Sequence, residues 1–107
     1  MECTIDPAKL DTLAARRAEH YEFLIAHHND IVFGGPARLD RDGPPQTMLI
    51  VVRAASTAEA QAFIDAEPYN RSGAFTSIRI RQWSQVIPEP TPGSLRRTLD
   101  AERGQAH

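Results

Sequence analysis

Hydrophobic and polar positions along this chain follow two periods, and the changes between them mark the elements. Glu2 to Ile5 has room only for a short strand. Asp6-Pro7 reads as a helix start, because Asp caps and Pro is tolerated at the first helical position. From Lys9 to His27 there is no Gly or Pro, the apolar spacing is helical, and Asn29 can supply the stop. Ile31-Val32-Phe33 predicts a short strand ended by a Gly34-Gly35-Pro36 turn with positive φ. Arg38 to Gln46, with Asp42-Gly43 and Pro44-Pro45, reads as a loop. Thr47 to Arg53 is a nearly continuous β-branched and apolar run, the mark of a central strand. Ser56 followed by Glu59 fits a capping box, so a second helix begins there. It passes through Phe63 and Ile64 and stops near Glu67, because Pro68 follows. Tyr69 to Gly73 predicts a turn. Phe75 to Val86 predicts a long strand with Ile78 and Ile80 on one face and Arg79 and Arg81 on the other.

The order strand, helix, strand, strand, helix, strand is the α+β, ferredoxin-like βαββαβ pattern. It implies an antiparallel four-stranded sheet with two helices on one face. The bare face needs a cover, and a second copy of the chain is the simplest one, hence an expected homodimer. This domain should span residues 1–87. Pro88, Pro90, Pro92 and Gly93 then make a stiff linker within a polar C-terminal tail, 88–107, in which Ser94 to Arg103 has the makings of a short helix.

Composition narrows the classes. With 107 residues, 41% hydrophobic and 24% charged, the chain fits one soluble domain. Its longest apolar run, Met48 to Val52, is too short for a membrane helix, and the N-terminus lacks a signal-peptide pattern. The single cysteine, Cys3, excludes an internal disulfide and suits the cytoplasm. A net charge of −2 argues against life on phosphate contacts. RNA-recognition modules of this strand order need exposed aromatics on the two central strands, and neither Met1–Ile5 nor Thr47–Arg53 has one. His20 and His27 are separated by two helical turns, roughly 10.5 Å, too far for compact chelation. Neither a metal nor another cofactor is expected, and His27-His28 fits a helix C-terminus.

The chemistry lies in polar residues at apolar positions. Leu10, Leu13, Arg17, His20 and Leu24 step by three and four and form one stripe, with Ala14, Tyr21 and Ile25 in the same broad arc. On the second helix, Glu67 falls between the directions of Ala60, Phe63 and Ile64. A charge held against a core is costly unless paired. Two arrangements satisfy this. Arg17 and Glu67 could pair, with His20 a satisfied interior histidine. Alternatively, His20 and Glu67 form an acid–base pair and Arg17 binds an anionic group. Spacing leaves both open.

Arg17-Ala18-Glu19-His20, Leu24, Gly34-Gly35-Pro36, Ala66-Glu67-Pro68-Tyr69 and a last strand ending near Trp83, in that order and spacing, resemble the YciI-like (YCII-related) proteins over about residues 2–87. The resemblance implies a ferredoxin-like fold dimerised as a dimeric α+β barrel. It also implies a site built on a His and an Asp. His20 matches the motif histidine, and Glu67-Pro68-Tyr69 matches the family's Asp-Pro-Tyr/Phe, with a carboxylate one methylene longer. Two further departures are a short first strand and the proline-rich tail. The expected site is therefore His20 and Glu67 as catalytic residues, with Arg17, Gly35, Pro36 and Tyr69 binding substrate. The expected function is acid–base chemistry on a small molecule, by an isomerase, lyase or related enzyme. The alternative is a non-catalytic dimer that binds a small ligand.

Overall fold

A computed structural model of the chain describes residues 1–105; of the expected tail, 106 and 107 lie outside the described residues. Strands β1 (Glu2–Ile5), β2 (Ile31–Ala37), β3 (Thr47–Val52) and β4 (Phe75–Arg79) form one four-stranded sheet in the order β2-β3-β1-β4. Every neighbouring pair is antiparallel. Helices α1 (Leu10–Ala26), α2 (Thr57–Ala66) and the short α3 (Pro68–Arg71) precede β4, and α4 (Ser94–Gln105) follows it. This is the ferredoxin-like α+β fold expected from the element order.

The register explains the core. Cys3 stands opposite Met48 on one side and Ile78 on the other. Those side chains, with Ile50 and the fully buried Ile64 of α2, make the main cluster between sheet and helices. Burying a side chain the size of Ile64 contributes roughly 2–3 kcal/mol. A second cluster of Ile5, Leu13 and Ala74 continues it under the start of α1. On the other face lies the row Gly35–Leu49–Glu2–Arg79. Phe33, Leu49 and Trp83 are exposed, with the Phe33 and Trp83 rings edge to face at 5.7 Å.

Local chemistry sets the helix ends. The Asp6 carboxylate accepts a hydrogen bond from the Ala8 N–H at 2.9 Å and starts a turn of 3₁₀ helix, Pro7–Lys9, that leads into α1. Ser56 Oγ accepts from the Glu59 N–H at 3.2 Å, while Glu59 reaches back past the cap to the Ala55 N–H at 2.7 Å.

Four expectations need correction. Gly34, Gly35 and Pro36 do not form a turn: they lie within β2, and none has positive φ. Their partner β3 is long enough to keep pairing as far as Ala37 opposite Thr47. Pro36 is tolerated because β2 is an edge strand. A Cβ on Gly34 would come within 2.9 Å of the Leu49 carbonyl oxygen, so close backbone approach is the reason for that glycine. The last strand ends at Arg79 rather than Val86, because its neighbour β1 reaches only to Glu2, opposite Arg79. Asn29 is not the stop of α1; His27 caps it, and Asn29 falls in a following 3₁₀ turn. Finally, Tyr69 to Arg71 are helical, within α3, and the positive φ of 80° comes at Gly73.

Candidate active site

Glu67 sits at a joint. Pro68 disfavours helical geometry at the residue before it, and Glu67 is extended, with φ −70° and ψ 129°. It therefore ends α2 and caps α3, with Pro68 in the first helical position. One carboxylate oxygen, Oε2, accepts from the Asn70 N–H at 3.1 Å. Asn70 Nδ2 donates to the Ile64 carbonyl at 2.9 Å and ties the joint to the end of α2. The other oxygen, Oε1, faces His20 Nδ1 at 2.5 Å. Glu67 is 0% exposed and His20 7%. Two polar residues are thus enclosed, and each satisfies the other.

The partner on α1 is held as firmly. The Tyr69 ring stacks on the imidazole with centroids 3.9 Å apart and planes 12° from parallel. Tyr21, the next residue along α1, flanks it at 5.5 Å. Every wholly buried side-chain nitrogen or oxygen among the described residues has a hydrogen-bond partner, and His20 Nε2 has none. The exposure His20 keeps therefore includes Nε2. With the carboxylate accepting from Nδ1–H, the neutral tautomer leaves a lone pair on that open nitrogen.

Arg17 is not turned into the core, as its place in the helical stripe implied. It is exposed, as are Tyr21 and Ile25 of the same arc, at 55% and 71% for the last two. The reason is that α1 packs on the short α3, which covers a narrower stripe of α1 than a full-length partner helix would. No Arg17–Glu67 pair forms, since the ion-pair partner of Glu67 among the described residues is His20. Burial raises the Tyr69 phenol above its ordinary pKa, with Arg17 pulling the other way. Gly35, opposite Leu49, is on the sheet face turned away from the helices, and Pro36 is exposed on edge strand β2.

Cys3 is fully buried beneath the helices. Desolvation pushes its thiol up to about 11, with the N-terminal ammonium opposing and the Glu67 charge adding. It is inert as a nucleophile at neutral pH. Two shallow clefts, of about 250 and 360 Å³, lie elsewhere on the helical layer, and neither is lined by His20 or Glu67. The smaller one borders the same α1–α3 junction, between Arg16, Glu19, Pro68 and Arg71. The residue that sequence reasoning missed is Asn70. Its signal was a carboxylate, then Pro, three residues before it, which is helix-capping spacing.

The YCII-related domain family model matches residues 1–84. The chain belongs to this family. The YCII-related fold also has a solved structural neighbour, 5-chloro-2-hydroxyhydroquinone dehydrochlorinase (TftG) from Burkholderia phenoliruptrix AC1100, in complex with 2,5-dihydroxybenzoquinone. The match has a TM-score of 0.71 at 20% identity and covers 78% of this chain and 90% of the other. At that identity the likeness concerns the fold. No protein of curated function matches the chain.

Proposed function

We propose that this YCII-related protein is a small-molecule enzyme whose working group is His20, oriented by Glu67. The observation that carries the reading is the enclosed 2.5 Å contact between Nδ1 and Oε1, combined with an unpartnered Nε2. A carboxylate that holds one imidazole nitrogen as a donor leaves the other to accept a proton and return it, which is what isomerisation and elimination need. The Glu67 carboxylate has no other opening: both oxygens are occupied and the residue is wholly buried. It is the positioning group, and His20 is the proton carrier. Family membership and the ligand named for the structural neighbour favour a small oxygenated ring as substrate.

We further propose a homodimer, in the cytoplasm, where Cys3 stays reduced. Phe33, Leu49 and Trp83 leave an apolar patch on the bare sheet face, beside Glu2 and Arg81, whose charged groups lie 3.5 Å apart. A two-fold axis through such a face sets apolar against apolar and acid against base. Light scattering on a size-exclusion column should give twice the chain mass, and a monomer at all concentrations would remove this reading.

The test of the enzyme reading is His20→Asn rather than His20→Ala. Alanine would strand a buried carboxylate and destabilise the fold whatever the role of His20. Asparagine keeps a donor near the Nδ1 position and removes the proton shuttle. A panel of hydroxylated quinols and cyclic diketones, followed by NMR in D₂O for exchange and product formation, should turn over with wild type. His20→Asn should be slower by about 10²-fold or more. Equal rates for the two proteins would remove His20 as the proton carrier, and binding with no turnover by wild type would replace the enzyme with a binding protein.

A further inference from the structure

We propose that Asn70 is a positioning residue: its side-chain amide, by tying α3 to α2, decides which nitrogen of His20 carries the proton. The proposal rests on the acid–base reading above and extends it to a residue that makes no hydrogen bond to His20.

α3 is a single turn, Pro68–Arg71. One turn does not hold itself in water, because its nucleation costs more than its few hydrogen bonds return. Yet this turn supplies two of the contacts that immobilise the imidazole. The Tyr69 ring lies on the imidazole face, and the Asn70 N–H holds Glu67 Oε2 at 3.1 Å. With Oε2 held and Oε1 against Nδ1, the carboxylate plane is fixed at both ends. The position of α3 therefore sets both the edge contact and the face contact of His20.

What sets the position of α3 is the Asn70 side chain. The backbone at Glu67 is extended, so the hydrogen-bond ladder of α2 does not run on into α3. Asn70 Nδ2 donates to the Ile64 carbonyl at 2.9 Å. Among the described residues, this is the one hydrogen bond from α3 to α2. A carbonyl only accepts, so the amide must turn its nitrogen towards it. The anchor is itself immobile, because Ile64 is fully buried in the main core cluster. Ser72 Oγ and the Ala74 N–H both donate to the Tyr69 carbonyl, at 2.7 and 3.2 Å, but those bonds close the segment on itself and do not place it against α2. Without the amide, α3 is free to swing about the Glu67–Pro68 joint. The Asn70 N–H then leaves Oε2, the Tyr69 ring slides from the imidazole, and Oε1 no longer dictates a proton on Nδ1.

Nitrogen-15 NMR of the His20 ring in the full chain tests this, at about pH 8, above the ordinary imidazole pKa of about 6.5. Wild type should show the Nδ1–H tautomer, with the ring C–H protons shifted upfield by the Tyr69 face. Asn70→Leu, similar in shape but without a donor, should lower the ratio of Nδ1–H to Nε2–H tautomers about 5-fold or more and shrink the upfield shift. Asn70→Gln keeps the donor and should recover most of both. Should Asn70→Leu not fold, Asn70→Ser replaces it, since a hydroxyl there is too short to reach the carbonyl. Ser56→Ala removes the cap at the other end of α2 and is the control for lost stability: it should destabilise the chain without moving the His20 signals. Unmoved His20 signals in folded Asn70→Leu or Asn70→Ser, or equal movement in Ser56→Ala, overturn the positioning role. None of these readings needs a substrate. Turnover that depends on His20 while the tautomer ratio ignores Asn70 removes the role of Asn70 alone. A ratio that follows Asn70 in a protein that turns nothing over removes the enzyme reading alone.

Discussion

Two carboxylates meet cationic or potentially cationic partners on the same helix, Arg16 and His20, one turn apart, with opposite physics. Arg16 and Glu19 touch at 2.9 Å on the surface of α1, with side chains 50% and 55% exposed. His20, the next residue, meets Glu67 at 2.5 Å, with side chains 8% and 0% exposed. In the first pair water competes for both groups, so the contact contributes little and either side chain can leave it. In the second, water is excluded, Glu67 has only the Asn70 N–H besides His20, and the loss of one partner strands the other. Contact distance does not separate the two; enclosure does. Enclosure also fixes the Nδ1 contact, and with it the neutral tautomer that leaves Nε2 free.

The largest break in this comparison is Glu67→Leu. It removes the partner of His20 Nδ1 and the cap of α3 together, and should cost about 3–5 kcal/mol in urea unfolding, against nearly nothing for Glu19→Leu. Equal effects at the two positions would mean that the inner pair is as wet as the outer one.

Cys3 supplies a third case, a buried ionisable group with no partner at all. Its thiol is raised to about 11 by desolvation, so the folded state resists ionisation that the unfolded chain accepts near pH 9. The sign follows: its contribution is fully present below about pH 9 and is lost as pH rises towards 11, a span of about 2–3 kcal/mol. Stability against pH for wild type and Cys3→Ala should converge across that window. Parallel curves would contradict the burial.

Glu67→Asp sharpens the comparison on a smaller scale. The shorter side chain cannot both accept from Asn70 N–H and reach His20 Nδ1 without moving the joint, so one hydrogen bond weakens. A loss of about 1–2 kcal/mol is expected, and a shift of the His20 ring signals in NMR should report which bond yields. Smallest of all is the outer pair: a double-mutant cycle on Arg16→Ala and Glu19→Ala should give about 0.3–0.5 kcal/mol, vanishing in high salt. A salt-insensitive value above 1 kcal/mol would mean that the surface pair is shielded in the working assembly.

Much of this was legible residue by residue. Ser56, Glu59, Asp6 and Pro7 announce helix starts because capping is local chemistry, complete within four residues. The β-branched run of β3 and the helical stripe of α1 follow from periods of two and 3.6. His20 and Glu67 stood out because each occupies an apolar position in its own pattern. Arg17 stood out by the same rule and yet is exposed. A helical wheel gives a direction but not the width of what covers it, and the short α3 leaves that flank open. The Gly34-Gly35-Pro36 segment misled for a similar reason: glycine and proline suggest a turn, but a long partner strand overrides the local preference.

The chain alone thus determined the order of elements, the fold class that order allows, and two polar residues that the core could not tolerate unpaired. These follow from local sterics, capping and periodicity, which act over a few residues. Tertiary structure decided that His20 pairs with Glu67 and not Arg17 with Glu67, that Tyr69 lies flat on the imidazole, and that Nε2 is the nitrogen left open. Those depend on where α3 comes to rest against α1. That placement is set by packing between residues some fifty positions apart, which no local pattern encodes.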